Sequence, residues 1–373
     1  MPASALKPAA VLGAASKLSL LGLPKPQLVE FFENIGEKPY RARQIMHWLY
    51  QSYVADYAAM TDLSAPLRKQ LAQLTALALP PVLKHEHSDD GTRKWLLDVG
   101  ANQAVETVYI PEPDRGTLCI SSQAGCALDC AFCATGRQGF NRNLSSAEIL
   151  AQVVLAAREL APAKITNVVF MGMGEPLANY RNVLPVVHLL IDDQAFGLSR
   201  RRVTISTAGV VPHILKLAND CNVALAVSLH APTDELRDKL VPINKVHPIA
   251  ELLDACWKYA EGQASRSITF EYVMLDGVND SVAQARQLAK LLRNRPAKVN
   301  LIPFNAFPES GFRCSPQPAI DAFWQTLRNT GLIATIRRPR GDDIAAACGQ
   351  LAGRVRDRQR VRLGDRVIGA LSS

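Results

Sequence analysis

The sequence predicts an α/β protein built on a partial parallel barrel of the (β/α)6 type, preceded by a small helical domain and a strand-rich connector. Three observations predict it. From Thr117 to Arg337 short apolar runs alternate with helical segments, the crossovers that parallel strands require. Between Pro24 and about Leu79 apolar residues recur at helical spacing instead. The 373 residues are 48% apolar and 20% charged. That balance excludes a disordered, collagen-like or fibrous chain and, at ~150 residues per domain, suggests two domains or one large one with additions.

Residues 1–23 carry lysines and small residues, with no acid before Glu30. Lys17 interrupts the apolar stretch, so a disordered extension is expected there rather than an export signal. Residues 24–80 form the helical domain. Leu28, Val29, Phe31 and Phe32, then Ile45, Met46, Leu49 and Tyr50, keep helical spacing. Ser64-Ala65-Pro66 reads as a capped start with proline in the first turn. Basic and aromatic residues interleave from Tyr40 to Trp48, which suits RNA contact; the plainer reading makes Ile45 and Trp48 core and the arginines merely exposed.

Residues 81–115 are the connector, with strands at Val82–Glu86, Arg93–Val99 and Ala104–Ile110 and a turn at Asp89-Asp90-Gly91. Residues 116–354 hold the barrel. Its strands are expected at Thr117–Ser122, Ile165–Met171, Val203–Ser206, Val223–Leu229, Ile268–Met274, Val299–Ile302 and Ile333–Arg337. Helices fall between them at or near Ser145, Val183, Ile214, Ile249, Ser281 and Ala319. Chemistry in such a barrel collects at the carboxyl ends of the strands. Residues 355–373 read as a basic tail. No stretch approaches the roughly 18 uninterrupted apolar residues of a membrane span, so a soluble protein is expected.

Charge and cysteines stand out. The net charge is +8, and from Arg337 to Arg366 nine arginines face four aspartates. A basic run is often a solvated tail, but arginine also grips phosphate bidentately. Of eight cysteines, Cys119, Cys126, Cys130 and Cys133 fall within fifteen residues, while Cys221, Cys256, Cys314 and Cys348 are scattered. A disulfide framework would spread its bridges; clustering points to a metal site in a reducing compartment.

Cys126, Cys130 and Cys133 make a C-x3-C-x2-C pattern on the loop after the first barrel strand. A structural zinc closes with four ligands, and no fourth Cys or His lies nearby. A [4Fe–4S] cluster on three thiolates keeps one iron open. The pattern, with Phe132 before the third cysteine, resembles the signature of the radical S-adenosylmethionine (SAM) superfamily. That resemblance implies SAM bound at the open iron and cleaved to a 5′-deoxyadenosyl radical. Met171-Gly172-Met173-Gly174-Glu175-Pro176 resembles the superfamily's glycine–glutamate motif. Ser206-Thr207-Ala208-Gly209, Ser228-Leu229-His230 and Asn305 end further strands in register with it.

From about Pro24 to Arg354 the chain resembles one branch, the RlmN family of dual-specificity RNA methyltransferases that modify C2 of adenosine. The resemblance rests on GCALDCAFCATGRQGFNRNLS, NVVFMGMGEPLAN, VTISTAG, VSLHAPTDELRDKLVPIN, ITFEYVMLDGVND, NLIPFN and RRPRGDDIAAACGQL. It implies cluster ligands Cys126, Cys130 and Cys133, and SAM contacts at Gly174, Glu175, Ser206, Ser228, Leu229, His230 and Asn305. It implies Cys348 as the methyl-carrying cysteine, Cys119 as its partner in a transient disulfide, and Glu106 as proton acceptor. Two SAM molecules are implied per turnover, one methylating Cys348 and one supplying the radical, because the electron-poor C2 cannot attack a sulfonium methyl. Covalent catalysis splits that step into feasible ones.

The residues themselves say less about the last three. Alternation puts Cys119 and Ser121 on one strand face, and a small buried cysteine is the plain reading there. The same reading holds for Cys348, at what looks like the start of an Ala-rich helix. Glu106 shares its face with Ala104, Val108 and Ile110, an odd place for a solvated carboxylate. Cys221, Cys256 and Cys314 read as packing. The implied partners are 23S ribosomal RNA, tRNA at the adenosine 3′ of the anticodon, and an external flavodoxin-like reductant. A cytoplasmic monomer is expected. Two rivals stand: a sister methyltransferase acting on C8 of adenosine with the same cysteines, and a non-catalytic RNA-binding module with a structural metal.

Overall fold

The computed structural model describes residues 17–261, 267–307 and 310–358. Its main element is one ten-stranded sheet. In chain order its strands are β1 (Val82–His87), β2 (Arg93–Asp98), β3 (Ala104–Glu112), β4 (Arg115–Cys119) and β5 (Asn167–Phe170). They continue as β6 (Val203–Thr207), β7 (Ala224–Ser228), β8 (Ile268–Met274), β9 (Ala297–Pro303) and β10 (Ile333–Ile336). Spatial order follows chain order. From β4 to β10 every pairing is parallel, and β1 to β4 pair antiparallel.

Six helices make the crossovers: Ser146–Leu160, Tyr180–Ile191, Val211–Asp220, Ile249–Ala260, Val282–Leu292 and Gln317–Asn329. Their starts are written locally. Ser145 and Ser281 each cap a helix, in capping boxes closed by Glu148 and Gln284. Proline sits in the first turn of Val211–Asp220 and Gln317–Asn329. The strands between are buried: in β8 only Thr269 is partly exposed, as a helix-covered parallel strand must be. The partial barrel is therefore six β/α units closed by a seventh parallel strand.

Two boundaries differ from the sequence expectation. Residues 17–23 are folded: Leu18–Ser19 pairs in parallel with Thr75–Ala76, and Leu20 and Leu21 are buried. The short apolar run at 18–23 supplies core to the helical domain, made of Lys25–Asn34, Arg41–Met46 (continuing as a wider π-helical turn to Gln51) and Ala65–Leu74. Residues 1–16 lie outside the described residues. The three connector strands are not a separate unit but extend the barrel sheet, because β3 pairs with β4. In the helical domain Ile45 is fully buried, while Trp48 is half-buried and donates its indole N–H to Asp62 at 2.5 Å.

The chain beyond Gly341 is pinned across this sheet. Ser88 donates to Asp343 Oδ1 at 2.6 Å, and the Gly341 amide donates to Asp90 Oδ2 at 3.2 Å. The β1–β2 turn thus grips the Arg-Gly-Asp-Asp stretch. Burial alone would raise the Asp90 carboxyl, but hydrogen bonds from Thr92, Gly341 and Ser88 hold it down at about 2. Further on, Arg354 bridges to Ala104, and the Arg358 amide donates to Phe140 O. The expected basic tail is thus packed as far as Arg358; residues 359–373 lie outside the described residues. Among the described residues no helix is long and apolar enough to cross a membrane.

Candidate active site

The cysteine loop leaves the end of β4 through a short ribbon, Gln123–Gly125 paired with Phe140–Asn143. Gly125 has φ +81°, and a Cβ there would stand 2.1 Å from Gly139 O, so only glycine permits the turn. The Cys126 amide donates to that same Gly139 O at 2.8 Å, the Cys133 amide to Cys130 O at 3.1 Å, and the Ala131 amide to Leu240 O at 3.1 Å. Burial pushes the Cys130 thiol far up, and the Cys133 and Cys126 sulfurs add to the shift. Cys126 and Cys133 are raised for the same first reason. The three half-buried cysteines lie close enough on one loop that the Cys133 sulfur raises both Cys126 and Cys130.

The C-terminal segment lies along this loop. The Ala134 amide donates to Gly349 O at 2.8 Å, Thr135 Oγ1 to Leu351 O at 2.6 Å, and Gln138 Nε2 to Gly353 O at 2.9 Å. Cys348 is therefore carried to the cysteine loop, and the Cys133 and Cys348 sulfurs interact electrostatically. Cys348 lies in a turn, not at a helix start. Ala345 is left-handed at φ +49° and Gly349 at φ +85°, and only the single turn Asp342–Ile344 is helical. The alanines are short because the segment packs closely on its neighbours: a Cβ at Gly341 would already meet Ala346 Cβ at 2.8 Å.

Cys119, at the end of β4, pairs with Val108 on β3 and Val169 on β5. It is buried, and its thiol is pushed up to about 12 by burial and by the Cys348 sulfur, against a lowering pull from Arg337. Arg337 is half-buried; the Cys348 sulfur raises its pKa most, with Glu271 and Cys119 contributing. One guanidinium thus serves both cysteines. Cys348, Arg337, Arg338, Arg340 and Asn305 line one cavity, and Asn305 Nδ2 donates to Cys348 O at 3.4 Å.

Glu106 is buried on β3. Its Oε1 stands 3.3 Å from Lys94 Nζ, and its Oε2 accepts from the Ala352 amide at 2.8 Å. Lys94 also pairs with Glu86 at 3.3 Å and donates to the carbonyls of Ile344 and Ala345. The register makes this row. Glu86 lies opposite Lys94, and Lys94 lies opposite Val108, two residues along β3 from Glu106, which makes Lys94 and Glu106 diagonal neighbours on one face. Periodicity along one strand could show Glu106 as misplaced; only pairing shows its cation.

At the ends of β5 to β9 the remaining expected residues gather. Gly174 has φ +99°, and a Cβ there would meet Gln123 Cβ at 2.5 Å. Glu175 is buried, accepting from the amides of Leu177 at 3.0 Å and Ala208 at 2.8 Å. Burial raises its carboxyl to about 7 in spite of those bonds. Ser206 and Ser228 are half-buried at their strand ends, and Leu229 is buried. His230 is left-handed at φ +59°. Its Nδ1 accepts from the Val273 amide at 3.0 Å, which leaves the proton on Nε2. Burial and the nearby Arg237 hold its pKa down at about 3, so the ring is neutral. Its edge meets Phe132, with ring centroids 4.5 Å apart.

Arg237 was not singled out by the sequence. It is fully buried and donates to the carbonyls of Leu229, Ala208 and Ser228 at 3.1, 2.6 and 3.0 Å, tying the ends of β6 and β7 together. Its spacing from Leu240, on the buried face of Asp234–Leu240, is the signal that would have found it. Cys221 and Cys256 are buried; Cys314 is exposed.

This geometry has relatives. Residues 120–289 match the radical SAM superfamily. The chain is similar to the crystal structure of a radical SAM methyltransferase from Sphaerobacter thermophilus, 47% identical over 90% of this chain and 99% of that one, with a TM-score of 0.86. Weaker likenesses are Streptococcus suis SuiB bound to S-adenosylmethionine and HydG, a maturase of the [FeFe]-hydrogenase. SuiB is 10% identical over 63% of this chain and 57% of its own, with a TM-score of 0.44. HydG is 12% identical over 62% and 54%, with a TM-score of 0.45. Fold and site define a radical SAM methyltransferase. Residues 18–77 match the ribosomal RNA large subunit methyltransferase N-terminal domain. The chain belongs to the RlmN family.

That superfamily works with a [4Fe–4S] cluster and SAM. The donor set fits: three soft thiols share one loop, each with its pKa raised by desolvation, and thiolates there need a cationic centre to be stable. Among the described residues no three His, Cys, Asp or Glu side chains converge as one metal ion would require.

Proposed function

We propose that this methyltransferase modifies C2 of a specific adenosine in 23S rRNA and of the adenosine 3′ of the anticodon in tRNAs. The observation that carries the reading is the convergence of Cys348, Cys119 and Arg337 beside the loop of Cys126, Cys130 and Cys133. Cys126, Cys130 and Cys133 would hold the cluster, which would supply the electron that cleaves SAM to a 5′-deoxyadenosyl radical. Gly174, Glu175, Ser206, Ser228, Leu229, His230 and Asn305 hold SAM. Glu175 offers a carboxylate to its ammonium, and neutral His230 offers an Nε2–H donor.

Cys348 takes a methyl group from a first SAM by displacement. A second SAM is the source of the radical that removes hydrogen from that methyl. Carbon then joins C2, leaving RNA bonded to Cys348. Glu106, paired with Lys94 Nζ at 3.3 Å, accepts the C2 proton. With that proton gone, the adduct's excess electron would return to the cluster; the Cys119 thiolate then attacks the Cys348 sulfur, forming the disulfide as the Cys348 S–CH2 bond breaks, and the released methylene carbon takes up a proton to leave as the methyl group on C2. Arg337 favours the Cys119 thiolate this attack requires. An external one-electron donor and the reducing cytoplasm keep the cycle running, and a monomer suffices because one chain supplies every group.

The C8 alternative uses the same cysteines and is separated by product. Both RNAs are incubated anaerobically with methyl-labelled SAM and a reductant, and the nucleosides are analysed by mass spectrometry. 2-Methyladenosine is expected from each; 8-methyladenosine as the sole product would overturn the C2 assignment. A non-catalytic RNA-binding module would yield no 5′-deoxyadenosine.

A further inference from the structure

Arg237 stands between two parts of the site that lie far apart in the chain. It shares the buried face of the helix Asp234–Leu240 with Leu240. Leu240 O accepts the amide of Ala131 at 3.1 Å, and Ala131 follows Cys130 directly in the chain. About one turn back along the helix, the Arg237 fork takes the carbonyl of Ala208, just past β6, and those of Ser228 and Leu229 at the end of β7. Ala208 is held from its other side too, its amide donating to Glu175 Oε2 at 2.8 Å. A continuous path therefore runs from Cys130 through Leu240 and Arg237 to Glu175. A second contact runs beside it, where Phe132 on the cysteine loop meets His230, the residue after Leu229.

The guanidinium is fixed and charged. Its Nη1 donates to Asn244 Oδ1 at 2.8 Å, so four acceptors of the chain itself hold the fork in one orientation. Burial lowers its pKa to about 10, which leaves it a cation at neutral pH. Among its charged neighbours the Cys130 sulfur acts on it most, ahead of Cys256, Asp234 and Asp238. Asp234 and Asp238 accept from Asn244 Nδ2 at 2.9 and 2.7 Å.

We propose that Arg237 is a positioning residue for radical generation: its fork holds the cysteine loop against the strand ends that take SAM, and its charge raises the potential of the cluster. The inference rests on the cluster and SAM assignments above. A fixed cation in a low-dielectric site favours the more negative, reduced form of what lies beside it. Lysine would keep that charge and lose the fork, whereas glutamine would lose the charge and keep one amide donor.

The test uses the full-length protein, its cluster reconstituted anaerobically, with the variants Arg237→Lys and Arg237→Gln. The midpoint potential is read by redox titration followed by electron paramagnetic resonance in the absence of SAM, and SAM affinity by equilibrium dialysis. Arg237→Lys should keep the wild-type potential and bind SAM about tenfold more weakly. Arg237→Gln should bind SAM as weakly and also lower the potential by about 59 mV, a tenfold loss in a one-electron reduction equilibrium. A merely structural role would reduce cluster content without separating the two variants by potential. Wild-type SAM affinity in Arg237→Lys, or an unchanged potential in Arg237→Gln, would overturn the proposal. Arg237→Met is the second neutral variant, read in the same way if the glutamine variant fails to load. A wild type that yields no [4Fe–4S] signal or binds no SAM would strike the assignments on which the inference rests, a result distinct from either of these.

Discussion

Lys94 Nζ stands 3.3 Å from Glu106 Oε1 and 3.3 Å from Ala345 O, so one ammonium links the proposed proton acceptor to the segment that carries Cys348. Both side chains are over nine-tenths buried. Removing one partner leaves an uncompensated charge, whereas removing both does not. Lys94→Met should therefore cost about 3 kcal/mol of stability, and adding Glu106→Gln should restore most of it. Chemical denaturation of the two variants checks this, and equal losses would refute the coupling.

The roles proposed for Cys348 and Cys119 differ in what each variant accumulates. Cys348→Ala should abolish methylation and give no protein–RNA adduct. Cys119→Ala should leave RNA covalently attached to the protein, seen as a slow band on denaturing gels. An active Cys348→Ala enzyme would end the covalent mechanism.

Glu175 gives a pH signature. Its carboxyl is raised from 4.5 to about 7 by burial. Its contribution to folding is therefore fully present below pH 4.5 and lost as pH rises through 7. The loss is on the order of 1–3 kcal/mol. In SAM-free protein the melting temperature of wild type should fall relative to Glu175→Gln between pH 5 and pH 8. A constant difference between the two would contradict the assignment.

Gly353 seats the C-terminal segment. A Cβ there would stand 2.1 Å from Ala104 O and 2.9 Å from Met173 Sδ. Gly353→Ala should cost about 2 kcal/mol through overpacking and free residues near Cys348 to limited proteolysis. Methylation should fall with it while the barrel's circular dichroism is kept.

Much of this molecule is legible from its sequence because the signals are local. Ser145, Ser281 and the prolines start helices within a few residues, and apolar alternation marks each barrel strand. Cys126, Cys130 and Cys133 share one loop, so their spacing is visible in the sequence. The Leu20-Leu21 pair shows the limit: its apolar character is visible, but its burial depends on the Leu18–Ser19 pairing with Thr75–Ala76.

By itself the sequence determined the β/α series, the cysteine loop and the concentration of polar residues at strand ends. Tertiary structure alone decided which distant groups meet. Glu106 receives the amide of Ala352, 246 residues away, and Lys94 as its cation. Cys119 and Cys348 come to share Arg337. The reason is physical: hydrogen bonds within a turn are written in neighbouring residues. A contact across the sheet depends on strand register and on where the closing segment lies, and both follow only once the whole core is packed.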